Sequence, residues 1–238
     1  MAIGAFGHYN WLASLTVAVA VVAIVQVGKF LLFRIPALRR MREINDAEDA
    51  KRLAQPKYPA LIRRGKVAGF TSMAIFFAGV LPFSASFESR PFWRILLEIF
   101  VILMVYDFFY YMAHRFLMHD KGPLRLIHGI HHQARDPSWI DSHYVHPVEI
   151  AIGLWLFFLT VAGYALFAGP AHVASIVVCF VVFHEINQLN HTYFKLPYFP
   201  FKTANWIVAK HHIHHENMRR GNYATITLFY DYLFGTLD

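Results

Sequence analysis

Five stretches of the chain are nearly unbroken apolar runs, and the segments between them are polar and rich in Lys, Arg and His. The runs cover residues 11–33, 67–87, 92–113, 148–168 and 172–188, the last being the least apolar. About 20 such residues let a helix cross a bilayer, so the pattern predicts an all-α bundle with four to five membrane spans. Lys29 lies near the end of the first run, where its long stem lets the ammonium reach the interface. The connection 34–66 is polar. Within it, 41–54 has helical composition but no apolar stripe, which predicts a solvated helix. Gly169-Pro170 marks a turn between the fourth and fifth runs. There is no internal repeat. The expected organisation is one membrane domain over 1–238, with amino-terminal spans and a basic connection in 1–113 and a His-rich region in 107–238 that caps the spans.

Composition agrees with a membrane protein: 57% of the 238 residues are hydrophobic and only 16% are charged. The net charge of +7 is that of a basic inner face, so no nucleic-acid partner is expected. The single cysteine, Cys179, excludes an internal disulfide and any Cys-rich metal site. No Lys or Arg precedes the first run, so it reads as a retained span rather than a cleaved leader. Segment 34–66 holds ten Lys/Arg against four Asp/Glu, whereas Arg90 is the one cation between the second and third runs. The positive-inside rule then places the amino terminus outside and the basic segments in the cytoplasm. Of fifteen histidines, only His8 and His172 fall on the outer side in this topology, so the other thirteen are expected to build one cytoplasmic site.

Those histidines form groups. The first is His114 with His119, and the second is His128-Gly-Ile-His131-His132. The third is His191, preceded by Asn187 and His184, and the fourth is His211-His212-Ile-His214-His215. In H-x-x-H-H the histidines at i, i+3 and i+4 share one helix face, so the three imidazoles of each such box can point at a common centre. His212 then faces away, as a supporting or solvated residue. His114 and His119 are five apart, which a regular helix would splay by about 140°. Either the helix ends between them or they serve two centres. This many nitrogens exceed the needs of one ion, and two ions with about four each fit the count. His143 and His146 could line the site without binding metal. His184-Glu185 begins like a zinc-protease motif, but Gln188 stands where its second His belongs.

The series H-x4-H, H-x2-H-H, a later single His and a second H-x2-H-H resembles the fatty acid hydroxylase/sterol desaturase superfamily of membrane diiron oxygenases. Asp107 seven residues before the first box, "HPVE" at 146–149 and the closing "NYATITLFYDYLFGT" resemble further elements of that family. Ala224 and Tyr230 stand where it has Gly and Trp. The long first spacing, and Asn187 with His191, look more like fatty acid 2-hydroxylases and acyl desaturases. The resemblance implies nine metal ligands, His114, His119, His128, His131, His132, His191, His211, His214 and His215. Asn187, through water, or His184 would be a tenth contact. Asp107, Glu149 and Asp231 would accept the second ring N–H of ligating histidines.

It further implies two iron ions, with zinc as an alternative occupant, and a lipid substrate drawn from the bilayer. An unactivated C–H bond offers no acidic proton, and a reduced metal pair with O₂ supplies the chemistry it requires. Hydroxylation and desaturation both remain open at this point. No electron-carrier segment is visible, so a separate cytochrome b5-, ferredoxin- or flavin-type donor is expected. Lys202, Lys210, Arg219 and Arg220 could dock it, or bind anionic lipid. The stretch 193–206 mixes aromatics with lysines, as at a membrane interface. A zinc-dependent membrane hydrolase is a competing reading. A metal transporter is a weaker one, because only Gln26, Glu98 and Asp107 stand out as polar within the spans.

Overall fold

The computed structural model describes residues 9–238; His8 lies outside them. Among the described residues the secondary structure is helical apart from one two-residue strand pair. The helices are α1 (Trp11–Leu32), α2 (Pro36–Leu53), α3 (Lys57–Ile75), α4 (Leu81–Ser84), α5 (Phe92–Ala113), α6 (Arg125–His131), α7 (Pro147–Ala168), α8 (Val173–Asn190), α9 (Lys202–Glu216) and α10 (Phe229–Leu233). Strands β1 (Ala85–Ser86) and β2 (Ala171–His172) pair in parallel. A π-helical turn, Phe76–Val80, joins α3 to α4, and another, His114–Met118, extends α5.

Among the described residues, five helical columns are long and apolar enough to cross a membrane: Trp11–Leu32, Lys57–Ser84, Phe92–Met118, Pro147–Ala168 and Val173–Asn190. Local sequence sets most of their ends. Asn10 caps α1 by accepting from the Ala13 N–H at 2.9 Å. Proline opens α2 and α7 at the first helical position. Gly169, at φ +85°, closes α7 in a conformation that favours glycine.

The second span differs from expectation. It begins at Lys57 rather than 67, so its first turns lie inside the basic segment. The reason is a buried stripe. Tyr58, Ile62 and Gly65 recur at helical spacing, and Tyr58 and Ile62 pack against Ile140 and Tyr144 of the His-rich region. Helix α2 also departs from a simply solvated helix. Its apolar stripe is missing, yet Asn45 and Asp49 are buried. Asn45 accepts from the backbone N–H of Trp139 at 3.2 Å and of Tyr193 at 3.0 Å. Asp49 accepts from the Ile140 N–H at 3.0 Å and the Ser138 hydroxyl at 2.6 Å. Arg52 pairs with Asp141. Positions 45, 49 and 52 share a face, so α2 docks through a polar stripe that satisfies loop backbone.

Inside the bundle α3 packs along α7, α1 along α8, and α5 against both α7 and α8. The core is aromatic: Phe76 stacks on Phe158 at 4.0 Å and Phe157 on Phe183 at 4.7 Å, ring to ring. At the end of the bundle where β1 and β2 pair, Glu98 is fully buried. It pairs with Arg90 and accepts from the His172 N–H at 2.9 Å and the Ser175 hydroxyl at 2.6 Å. Arg90 also donates to the Pro170 carbonyl at 2.6 Å. Glu98 therefore ties the ends of three spans together. Removing one partner of a buried pair strands the other charge. Arg90→Ala is expected to lower stability by about 3 kcal/mol or more, read as a reduced unfolding midpoint in detergent, with Glu98→Gln milder because Arg90 keeps Glu88 at 3.5 Å and the Pro170 carbonyl.

Candidate metal centre

The opposite end of the bundle gathers histidines from four directions. His114 and His119 come from the turn extending α5, His128, His131 and His132 from α6 and the residue after it, His191 from the end of α8, and His211, His214 and His215 from α9. They form two groups. One holds His114, His119, His128, His132 and His214; the other holds His131, His191, His211 and His215. Within each group the candidate ligand atoms lie within 4.8 Å of one another.

One expectation about spacing is revised, and one choice left open is decided. Each H-x-x-H-H box is divided rather than aimed at one centre. His128 and His132 join one group while His131 joins the other, and His211 and His215 join one while His214 joins the other. Positions i and i+4 stay together because they lie one above the other; i+3 lies on the opposite flank of the stripe and reaches across. His114 and His119 serve one group, not two. The π turn between them closes on the His119 N–H to His114 carbonyl bond at 3.0 Å, so five residues complete about one turn.

Ring orientation follows one rule. Seven of the nine rings turn Nδ1 outward to an oxygen and Nε2 inward. The acceptors are Tyr223 O for His114 at 2.6 Å, Met218 O for His119 at 2.9 Å and Gly221 O for His214 at 2.7 Å. They are Ala134 O for His215 at 2.9 Å, Asn187 O for His191 at 2.8 Å and Tyr144 O for His131 at 3.4 Å. Glu149 accepts from His128 at 2.8 Å. With Nδ1–H used outside, each inner Nε2 carries a lone pair. His114 and His128 then face each other Nε2 to Nε2 at 3.0 Å, and His131 and His191 at 2.9 Å. The buried Nε2 atoms of His119, His214 and His215 have no hydrogen-bond partner. Lone pairs held against one another in a buried site need a cation between them. The donor set therefore fits two metal ions.

Burial keeps these rings neutral, the form that binds metal. Loss of solvation pulls His119 and His191 down to about 4 and His214 to about 3, and it drives His128, His131, His132, His211 and His215 below the usual histidine range as well.

Asp107 and Asp231 do something other than accept a ring N–H. Asp107 accepts from the backbone N–H of Thr225, Ile226 and Thr227 at 2.8–3.0 Å. Asp231 accepts from those of Tyr223 and Ala224, both at 2.8 Å. The two carboxylates thus hold the tail segment whose carbonyls at 218, 221 and 223 orient three histidines. Gly221 is required there, because a Cβ would meet the Thr236 carbonyl oxygen at 1.8 Å. Sequence reasoning missed these carbonyls, since any residue carries one; the "NYA" element was their only signal.

The remaining candidates lie outside both groups. Asn187 supplies its carbonyl to His191. His146 caps α7, accepting from the Val148 N–H at 3.2 Å. His212 bridges Asp136 and the Thr192 carbonyl at 3.1 and 3.0 Å. His143 and His184 line a cavity of about 460 Å³ that runs from the histidines into the bundle between α3, α5, α7 and α8. In the stretch 193–206, Phe199 is 91% exposed and Tyr198 and Trp206 about half, leaving aromatic faces free beside the site.

Comparison with known proteins agrees with this geometry. The chain is similar to the very-long-chain aldehyde decarbonylase GL1-8 of Oryza sativa subsp. indica, at 32% identity over 61% of this chain and 54% of that protein. It is similar to methylsterol monooxygenase 2-2 of Arabidopsis thaliana, at 30% identity over 61% and 54%. It also resembles methylsterol monooxygenase erg25B of Aspergillus fumigatus, at 33% identity over 70% and 55%. The chain thus spans about half the length of the curated relatives it matches. No solved structure gives a significant match. The fatty acid hydroxylase model matches residues 99–236, which carry all nine grouped histidines, Glu149 and both loop-holding aspartates, and the chain belongs to the fatty acid hydroxylase family.

Proposed function

We propose that the protein is a membrane-bound diiron oxygenase that hydroxylates a lipid, using O₂ and electrons from a separate donor. The observation that carries this reading is the inward convergence of uncharged Nε2 atoms into two adjoining groups that open on a largely apolar cavity. His114, His119, His128, His132 and His214 would hold one ion; His131, His191, His211 and His215 would hold the other. A pair of iron ions, when bound, supplies the one-electron chemistry that activates O₂ against an unactivated C–H bond. Tyr223, Gly221, Met218 and Glu149 keep the rings aimed inward with Nδ1–H engaged. Residues Tyr106, Tyr110, Phe180 and Phe183 wall the cavity, exclude water and position hydrocarbon.

Names of the relatives support both the lipid and the oxygen: two are monooxygenases of methylsterols and one acts on very-long-chain aldehydes. The lipid for this chain is of fatty acyl, sphingolipid or sterol type. The basic segments support a cytoplasmic histidine end with the amino terminus outside. The donor is of cytochrome b5, ferredoxin or flavin type, and the exposed Arg219 and Arg220 beside Met218 offer it a cationic landing place.

Membranes containing the iron-loaded protein, a reductant and ¹⁸O₂ should yield a labelled lipid alcohol by mass spectrometry. An unlabelled alkene instead indicates a desaturase, and product formed without oxygen indicates a zinc hydrolase. His131→Ala and His214→Ala are each expected to abolish product and lower bound iron while the protein still inserts; full turnover by either refutes the ligand assignment. Asp107→Ala should weaken metal retention by about 10- to 100-fold, measured by chelator competition, although Asp107 touches no histidine.

A further inference from the structure

The cavity carries a polarity gradient that a metal pair does not require. On α3 its wall is a stripe at helical spacing, Gly65, Lys66, Gly69, Phe70 and Met73. On α8 the facing stripe is Phe180, Phe183, His184, Asn187 and His191. Both change from apolar to polar toward the histidine end. Where they change, three nitrogen-bearing side chains, Lys66, His143 and His184, line the cavity. Lys29 is already matched, with Glu185 at 3.6 Å. That carboxylate also lies 3.6 Å from His184 Nε2. Lys66 is not matched; among the described residues no carboxylate comes within the 4.0 Å of an ion pair.

Lys66 also marks the mouth. It is exposed and yet lines the cavity. Helix α1 packs along α8 and α3 along α7, and α1 meets the α3 column chiefly through its last turns, Phe76–Val80 and Leu81–Ser84. Toward the histidine end the two pairs part, and Val21 of α1 and Phe70 of α3 both face the gap. Phe70, 76% exposed, and Val67, 63% exposed, present an apolar flank beside it. His184 precedes His191 by seven residues, so the polar level lies about 10 Å below the four-histidine group along α8. At that depth an unmatched ammonium opens onto both the cavity and the membrane face.

We propose that Lys66, with His143 and His184 beside it, is a subsite for the anionic group of a lipid, a carboxylate or a phosphate, whose hydrocarbon occupies the cavity. The subsite rests on the reading of that cavity as a lipid site. A cation at the rim of an apolar cavity gains most from an anion that arrives with its own hydrocarbon, because one molecule then fills the cavity and neutralises the charge. The two imidazoles add hydrogen-bonding capacity.

The test uses the full-length protein in nanodiscs of phosphatidylcholine, with a stearate bearing a photoreactive diazirine in its chain and the methyl ester of the same probe. The acid should label the wild type at least 10-fold more efficiently than the ester, on peptides of α3 and α8 that line the cavity. Lys66→Ala and Lys66→Met should reduce acid labelling to the ester's level and leave ester labelling unchanged, which also shows that the variants are folded; Lys66→Arg should keep the preference. Competition by lysophosphatidate stronger than by stearate assigns a phosphate, and the reverse assigns a carboxylate. Equal labelling by acid and ester in the wild type, or a preference that survives Lys66→Ala, overturns the subsite. So does loss of the preference when phosphatidylserine is added to the bilayer, since the ammonium then serves bulk headgroups. Labelling needs neither metal nor O₂. An acid preference without any oxygenated product would defeat the proposed function and spare the subsite, and the converse result would do the opposite.

Discussion

A neutral imidazole has one N–H and one lone pair, and this division governs the histidine end of the molecule. To present a lone pair inward, a ring must place its N–H outward against an acceptor. Seven rings do so, and six of the seven acceptors are backbone carbonyls. Those carbonyls must be held as firmly as the rings. Much of the surrounding architecture consists of devices that fix irregular backbone close to a buried site.

The devices are carboxylates and amides used as backbone acceptors. Asp107, inside a membrane-length helix, accepts three consecutive N–H groups of the tail segment. Asp231 takes the two before them. From the other side, Asn45 and Asp49 of α2 grip the segments at 138–140 and 193, next to the loops that carry Tyr144 and His191. Irregular backbone placed near a membrane has few waters to satisfy it, so the chain supplies side-chain partners instead. Glu98 performs the same service at the far end, where three spans meet.

Between these two fixed ends the bundle can remain open. Its aromatic core is concentrated around Phe76, Phe157 and Phe158, with Phe180 at its border with the cavity. The space nearer the histidines is left to the cavity, with Gly65, Gly69 and Gly153 on its wall. Rigid ends and an unfilled middle suit a protein that must hold a guest while its ligating rings stay still.

The five apolar runs needed only their own composition to be recognised, because a bilayer imposes length and hydropathy on each span separately. The histidines were also visible in the sequence, since four clusters in one half of a chain are a local signal, and so was the family they resemble. Three matters depended on the tertiary structure. Which ring joins which group is decided by neighbouring helices, and so each H-x-x-H-H box is split although its spacing had suggested one shared centre. The roles of Asp107 and Asp231 hinge on where a segment more than a hundred residues away, or a turn seven residues back, places its N–H groups. The early start of α3 and the burial of α2 arise from partners in the His-rich region. Sequence states what each residue can donate, accept or bury, whereas the fold alone decides which partner stands within three ångströms of it.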